Sequence, residues 1–377
     1  MAGIYIHIPF CKTRCPYCNF YSETDQELQK QFLEAMLLEA SMQAFYLSEE
    51  TIDTIYFGGG TPSLMQTSQI QRIFEEIEKN YPISMGAEIT LEVNPDDINE
   101  EFLLALKETP VNRISIGTQS FNDQDLKYLK RRHDAKQAIR AVEKSIEAGY
   151  TNLSIDLIYG IPGQTMKTWK ENLAQAIKLN VPHISAYCLT VEPGTKLDQL
   201  IQQKKSPAVD EALSVKMFDE AIDTLEKNGF IHYEISNYCK EGWHSRHNSS
   251  YWEEKKYLGL GPSAHSYNTK SRQWNVSSLK EYIENMESGK LPATLEELNE
   301  TDLYNEYIMT SLRTIWGVSE DHVKKFFNKK IYSYFRKVIA LKQKEAMVEL
   351  KGNSYILTRA GKRMCDAVVR ELFYDGE

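Results

Sequence analysis

Six short β-rich segments separated by amphipathic helical patterns leave this chain few folds to choose from. The segments are Ile4 to Ile8, Asp53 to Phe57, Glu88 to Val93, Arg113 to Gly117, Leu153 to Leu157 and His183 to Cys188. Each is rich in Ile, Leu, Val, Tyr or Phe and ends near Gly, Pro or Asn, the punctuation of strands. Their near-continuous apolarity is that of a parallel sheet covered by helices. Thr24-Asp25-Gln26-Glu27 reads as a capping box ahead of Leu28, Phe32 and Met36 at helical spacing. Asp134 with Gln137 opens a second helix, which carries Ile139, Val142 and Ile146 and stops at Gly149. Six such units predict an α/β fold, either a parallel barrel or a doubly wound sheet. The chemical motifs all follow strand ends, where barrels keep their functional loops, and this favours the barrel.

Beyond Glu192 the pattern loosens, with helices expected over Ala208 to Asn228 and Leu279 to Ser288. The expected division is a core over 1–235 (partial barrel to about 190), a connecting region over 236–298, and a small α+β module over 299–377. In that module, helices around Leu303 to Arg313 and Val323 to Phe327 and a third before Ala346 precede a hairpin at Gly352-Asn353, an order resembling a winged helix. It holds 14 basic and 11 acidic residues, too even a balance for a module that grips nucleic acid. The whole chain carries −9, which again disfavours nucleic acid as the main partner. No apolar run reaches the ~20 residues of a membrane span, and the first residues do not read as a secretory signal. The expected location is the cytoplasm, with peripheral membrane association compatible.

Three of the six cysteines crowd into Cys11-Lys-Thr-Arg-Cys15-Pro-Tyr-Cys18, directly after the first strand. A tight loop can aim several thiolates at one iron–sulfur cluster. Three ligands for four irons leave one metal position open, as a site needs when a ligand must bind the metal. The competing reading is a Cys3His zinc site completed by His7. Cys188, Cys239 and Cys365 have no partners at motif spacing and read as free thiols.

The C-x3-C-x2-C run after a first strand resembles the signature of the radical-SAM superfamily. That resemblance implies a partial (β/α)6 barrel, a [4Fe–4S] cluster on Cys11, Cys15 and Cys18, and S-adenosylmethionine chelated to the open iron, whose reductive cleavage gives a 5′-deoxyadenosyl radical. Gly58-Gly59-Gly60-Thr61-Pro62 is similar to the family's GGGTP motif, and its glycines let the backbone approach a ligand. By resemblance Tyr5, Tyr17, Gly58, Gly59, Gly60, Thr61, Glu92 and Asp156 belong to the S-adenosylmethionine site. Gln119 occupies an equivalent strand end, and His133 is a further candidate. An Asp inside an apolar strand is costly unless paired, which independently marks Asp156.

Ile4 to Cys11 together with GGGTP resemble the anaerobic (oxygen-independent) coproporphyrinogen III oxidase family. That dehydrogenase has a fourth cysteine two residues after the third, where this chain has Phe20, and an extension before the first strand, where this sequence starts at once. His247-Asn248-Ser249-Ser250-Tyr251-Trp252 is similar instead to the HNxxYW motif of the HemW-type heme chaperones. Neutral imidazole is a good axial donor to heme iron. The resemblance therefore implies a chaperone that binds heme through His247 and delivers it to apo-hemoproteins of respiration; coproporphyrinogen III dehydrogenase is the alternative. His244 and His265 are back-up ligands. Glycines in Tyr257 to His265 allow backbone approach there as well.

Overall fold

The computed structural model describes residues 1–48 and 50–376. Six parallel strands pair in chain order: β1 (Ala2–Ile8), β2 (Ile52–Gly59), β3 (Ile83–Val93), β4 (Arg113–Gln119), β5 (Leu153–Tyr159) and β6 (His183–Cys188). A doubly wound sheet reverses its strand order at a switch point. Unbroken order from β1 to β6 is that of a barrel. Beyond β6 the sheet continues into antiparallel β8 (Asn237–Cys239) and β7 (Ile231–Glu234). On its other side β1 pairs with β9 (Tyr257–Leu260), followed by β10 (His265–Tyr267), β11 (Ser271–Asn275) and β12 (Ala293–Glu297). Among the described residues nothing pairs β7 with β12, so the barrel is partial.

Alternation along the strands decides which face does what. Ile4, Ile6 and Ile8 of β1, Ile55 and Phe57 of β2, Leu91 of β3, Ile114 and Ile116 of β4, and Ile155 and Leu157 of β5 are buried in one core cluster. With the helices they pack against, they form the outer layer. The residues between them are polar: Tyr5, His7, Thr54, Tyr56, Glu88, Thr90, Glu92, Arg113, Ser115, Ser154, Asp156, His183 and Ser185. Apolar content hid this second face from the sequence reading, because bulky aliphatics dominate each segment. The concave face is thus a polar interior able to hold a ligand.

Helix termini follow local chemistry. The Asp134 cap accepts from the Gln137 N–H while the Gln137 side chain accepts from the Asp134 N–H, and helix Ala135–Glu147 begins there. Such a cap contributes about 1 kcal/mol. The expected box at Thr24 does not form. Helix Gln29–Met42 starts later, with no side-chain cap, because the chain before it is held elsewhere. The Cys11 N–H donates to the Glu23 carbonyl at 2.9 Å, and the Glu23 N–H donates to the Pro9 carbonyl at 2.6 Å. These two bonds cinch the base of the cysteine loop and keep residues 23 to 28 out of the helix.

The last segment forms its own core around Tyr304, Ile308, Phe335, Ile339, Leu357 and Leu372. Helices Glu300–Ser311, Glu320–Phe326 and Lys329–Lys344 precede a sheet of β13 (Val318–Ser319), β14 (Val348–Lys351) and β15 (Ser354–Leu357), and helix Cys365–Leu372 closes it. Arg359 ties it to the barrel through Asp219 and Asp223 of helix Glu211–Lys227.

Candidate functional site

At the C-terminal ends of the parallel strands lies a cavity of about 400 Å³. One wall is the loop after β1, with Cys11, Cys15, Tyr17 and Cys18. The rest of the lining includes Gly59, Gly60 and Thr61 after β2, Glu92 at the end of β3, Gln119 at the end of β4 and Asp156 on β5. Residues expected at one site from five separate stretches of sequence therefore share one cavity.

Backbone chemistry sets the two loops against each other. Gly60 donates its N–H to the Ile8 carbonyl at 2.8 Å. A Cβ on Gly60 would stand 2.7 Å from the Phe10 carbonyl oxygen and 3.0 Å from the Cys11 sulfur, so only glycine lets the chains approach this closely. Gly59 takes φ +106, and a Cβ there would strike the His7 ring at 2.8 Å. The Thr61 hydroxyl donates to Cys11 Sγ at 3.5 Å, and Arg131 Nη1 to Cys15 Sγ at 3.8 Å. Donors and positive charge of this kind stabilise thiolates and tune the potential of a cluster bound to them. All three thiols are free, and burial raises that of Cys18.

The donor set fits a cluster better than a single ion. A structural zinc ion takes four side-chain donors, whereas a four-iron cluster takes its thiolates on separate irons, and this loop supplies three cysteines. The fourth zinc ligand of the competing reading is also spoken for. His7 Nδ1 pairs with the Tyr5 hydroxyl at 3.1 Å and Nε2 with the Tyr21 carbonyl at 2.9 Å, and burial lowers its pKa to about 4.

Two carboxyls occupy the floor. Burial, reinforced by the negative charge of Asp156, pushes Glu92 up to about 7, against the hydrogen bond it accepts from the Tyr56 hydroxyl at 2.7 Å. Burial also raises Asp156 to about 6, with Ser185 and Ser115 donating to it. Each therefore gains from a bound donor or cation. Gln119 holds φ +62, an uncommon conformation for a residue with a side chain and one found at functional sites.

Other expected residues sit elsewhere. Tyr5 does not line the cavity. It packs one layer below, where the absence of a side chain at Gly58 makes room for its ring, and it stacks on Tyr56 at 6.2 Å. His133 is buried with Nε2 on the Thr118 carbonyl at 3.0 Å, and its neighbour Arg131 lines the cavity instead. Arg131 was missed because its partners, Asn94 at 2.5 Å, Gly117 at 2.9 Å and Cys15, come from three distant segments. The only local signal was the Arg131-Arg132-His133 run, in which histidine drew the attention. Cys188 at the end of β6 also lines the cavity, and Phe20, 65% exposed, stands at its mouth. Cys239 and Cys365 are buried apart.

His247 lies outside the lining of the cavity that holds the cysteines. It is 1% exposed, at the start of helix Arg246–Trp252, with its ring stacked on Tyr56 at 5.0 Å. Nδ1 pairs with the Thr54 hydroxyl at 2.8 Å and Nε2 with the Tyr251 hydroxyl at 2.9 Å. Burial lowers its pKa to about 3, so it is neutral, but neither nitrogen is free for a metal.

A sequence profile of the radical SAM superfamily matches residues 5–176. Heme chaperone HemW of Mycobacterium tuberculosis is 32% identical over 375 residues, covering 98% of this chain and 94% of that protein. Heme chaperone HemW of Bacillus subtilis is 32% identical over 372 residues, covering 98% of each. The chain belongs to the heme chaperone HemW family of the radical SAM superfamily. The solved structure of the Escherichia coli coproporphyrinogen III oxidase HemN, a radical SAM enzyme, superposes with a TM-score of 0.85 over 99% of this chain and 90% of that one, at 22% identity. That likeness extends the shared fold to the last segment as well as the barrel.

Proposed function

We propose that this chain is a heme chaperone that carries a [4Fe–4S] cluster with S-adenosylmethionine and passes heme to apo-hemoproteins, those of respiration in particular. The observation that carries the reading is the convergence of Cys11, Cys15 and Cys18 on one cavity wall, facing a glycine loop and two buried carboxyls, in a chain that matches HemW proteins along nearly its whole length.

Cys11, Cys15 and Cys18 would hold the cluster. Gly59, Gly60 and Thr61 would present backbone groups to the methionine moiety, and Glu92 and Asp156 would accept from its ammonium and from ribose hydroxyls. When bound, cluster and S-adenosylmethionine together supply one-electron reductive chemistry. Arg131 keeps positive charge beside Cys15, and Tyr17, packed against the cluster of Leu129, Ile158 and Leu189, lines the same cavity. Phe20 replaces the additional cysteine of the coproporphyrinogen dehydrogenases and offers no thiol at the cavity mouth, which speaks against that alternative.

An axial role for His247 belongs to this proposal only for a state in which helix Arg246–Trp252 has released the Thr54 or Tyr251 bond. Among the described residues no helix is long and apolar enough to cross a membrane, so contact with a bilayer would be peripheral. The test is heme titration of the anaerobically reconstituted chain. A Soret shift that saturates with heme, followed by transfer to an apo-hemoprotein, supports the reading; no heme uptake refutes it.

A further inference from the structure

Cys11 and Cys15 are joined by an unbroken line of hydrogen bonds whose middle member bonds to neither. Arg131 donates from Nη1 to Cys15 Sγ at 3.8 Å and from Nη2 to Asn94 Oδ1 at 2.5 Å. Asn94 donates from Nδ2 to Thr61 Oγ1 at 3.2 Å, and the Thr61 hydroxyl donates to Cys11 Sγ at 3.5 Å. Thr61 follows β2, Asn94 follows β3 and Arg131 lies beyond β4, so three loops are tied to the cysteine loop after β1. All three side chains line the cavity.

The chemistry of the groups gives this line a direction. A guanidinium only donates, so the amide must turn its oxygen to Arg131, and its N–H2 is left for Thr61. The Thr61 oxygen accepts from that amide, which leaves its single proton for the Cys11 sulfur. Thr61 is buried, so that proton has no ready alternative in bulk water. The backbone of Asn94 is anchored as well. Its N–H donates to Ser63 Oγ at 3.4 Å, and the Ser63 hydroxyl donates to Asp97 at 2.8 Å. The Asp97 carboxylate also accepts from Lys12 of the cysteine loop at 2.7 Å.

Resting on the cluster reading above, we propose that Asn94 is a positioning residue that sets the reduction potential of the cluster. It does so by directing the Thr61 hydroxyl onto Cys11 and holding the Arg131 guanidinium against Cys15. One-electron reduction increases the negative charge carried by the sulfurs, so donors to them favour the reduced form and raise the potential. Bonds in such a chain polarise one another, so a change at the amide is felt at both thiolates. Asn94→Asp keeps the shape of the side chain and reverses its chemistry. A carboxylate has no N–H, so the Thr61 proton turns toward it and Cys11 loses its donor. The added charge also offsets Arg131 beside Cys15.

The test is a redox titration of the reconstituted full chain, followed by electron paramagnetic resonance of the reduced cluster. It is run without S-adenosylmethionine, so that contacts of Thr61 or Arg131 with that ligand do not enter. Asn94→Asp is expected to load iron as wild type does and to shift the equilibrium toward the oxidised cluster by tenfold or more, with each tenfold worth about 59 mV for one electron. Asn94→Ala, which adds no charge, and Thr61→Val, which removes only the hydroxyl, are expected to shift it the same way by less. The double variant Thr61→Val with Asn94→Asp is expected to fall short of the sum, because the Thr61 proton has already left Cys11. A role in packing alone would lower the urea midpoint or the iron content and leave the potential where it was. Should Asn94→Asp take up no iron, Asn94→Ala and Thr61→Val carry the test. A wild-type potential in the Asn94 variants that load iron, or in Thr61→Val, overturns the inference, and so do shifts that simply add. If the wild-type chain assembles no cluster, the cluster reading itself fails.

Discussion

Replacing Gly60 with alanine isolates the close approach on which the cluster site depends. The new methyl would stand 2.7 Å from the Phe10 carbonyl oxygen, 3.0 Å from the Ile8 carbonyl oxygen and 3.0 Å from Cys11 Sγ. Two of these are backbone atoms of the first strand's end, and Gly60 itself is bonded to one of them at 2.8 Å. Neither can rotate away, so the loops must part by several tenths of an ångström. Overpacking of this kind costs about 1–3 kcal/mol. The strain falls on the only element that carries all three thiols, and separating the loops moves Cys11 first. The expected result is a lower urea midpoint, or a chain that folds normally but takes up much less iron on anaerobic reconstitution. Gly86→Ala is the control, because Gly86 is exposed with nothing within 4 Å of its would-be Cβ. Both variants remove one glycine's backbone freedom, and only one clashes. If Gly60→Ala matched Gly86→Ala in midpoint and iron content, the two loops would not need to touch and the steric reasoning would be wrong.

Other perturbations give separate readings. Cys15→Ser should abolish iron uptake while Cys239→Ser leaves it unchanged, as measured by iron per chain. With Glu92 raised to about 7 in the folded chain, a cationic ligand competes with its proton, so S-adenosylmethionine should bind more tightly as pH rises from about 6 to about 8. Glu92→Gln should flatten that profile in equilibrium binding. His247→Ala should destabilise the barrel by about 3–5 kcal/mol in urea, since it opens a cavity beside Tyr56 and strands the Thr54 and Tyr251 hydroxyls. The depressed pKa of His247 adds a pH term. The unfolded chain binds its proton near the ordinary value and the folded chain only near 3, so this contribution is present above about pH 6.5 and is lost as pH falls toward 3. The difference in stability between wild type and His247→Ala should shrink over that range.

What was legible in the sequence was whatever chemistry sits in contiguous runs. The cysteine loop, the glycine loop, the carboxyl of β3 and the buried Asp156 each announce themselves locally, and the barrel brings them together because each follows or ends a parallel strand. The polar concave face was harder to see, since strands such as Leu153–Tyr159 are dominated by their aliphatic half. Arg131 escaped notice because its role exists only where three strand ends meet. The seal on His247 was equally invisible: Thr54 lies 193 positions away in sequence, and a motif cannot say whether its histidine faces solvent. The misread helix start at Thr24 has a similar origin, a backbone clamp between Glu23 and the end of β1 that no capping pattern encodes.

The most direct measurement is iron and sulfide content after anaerobic reconstitution, with electron paramagnetic resonance of the reduced chain before and after S-adenosylmethionine. The predicted result is a cubane's complement of iron and acid-labile sulfide, with a signal that changes when S-adenosylmethionine is added because one iron lacks a protein ligand. A chain that instead purified with stoichiometric zinc and no sulfide, or whose cluster signal ignored S-adenosylmethionine, would contradict the three-thiolate site on which the function rests.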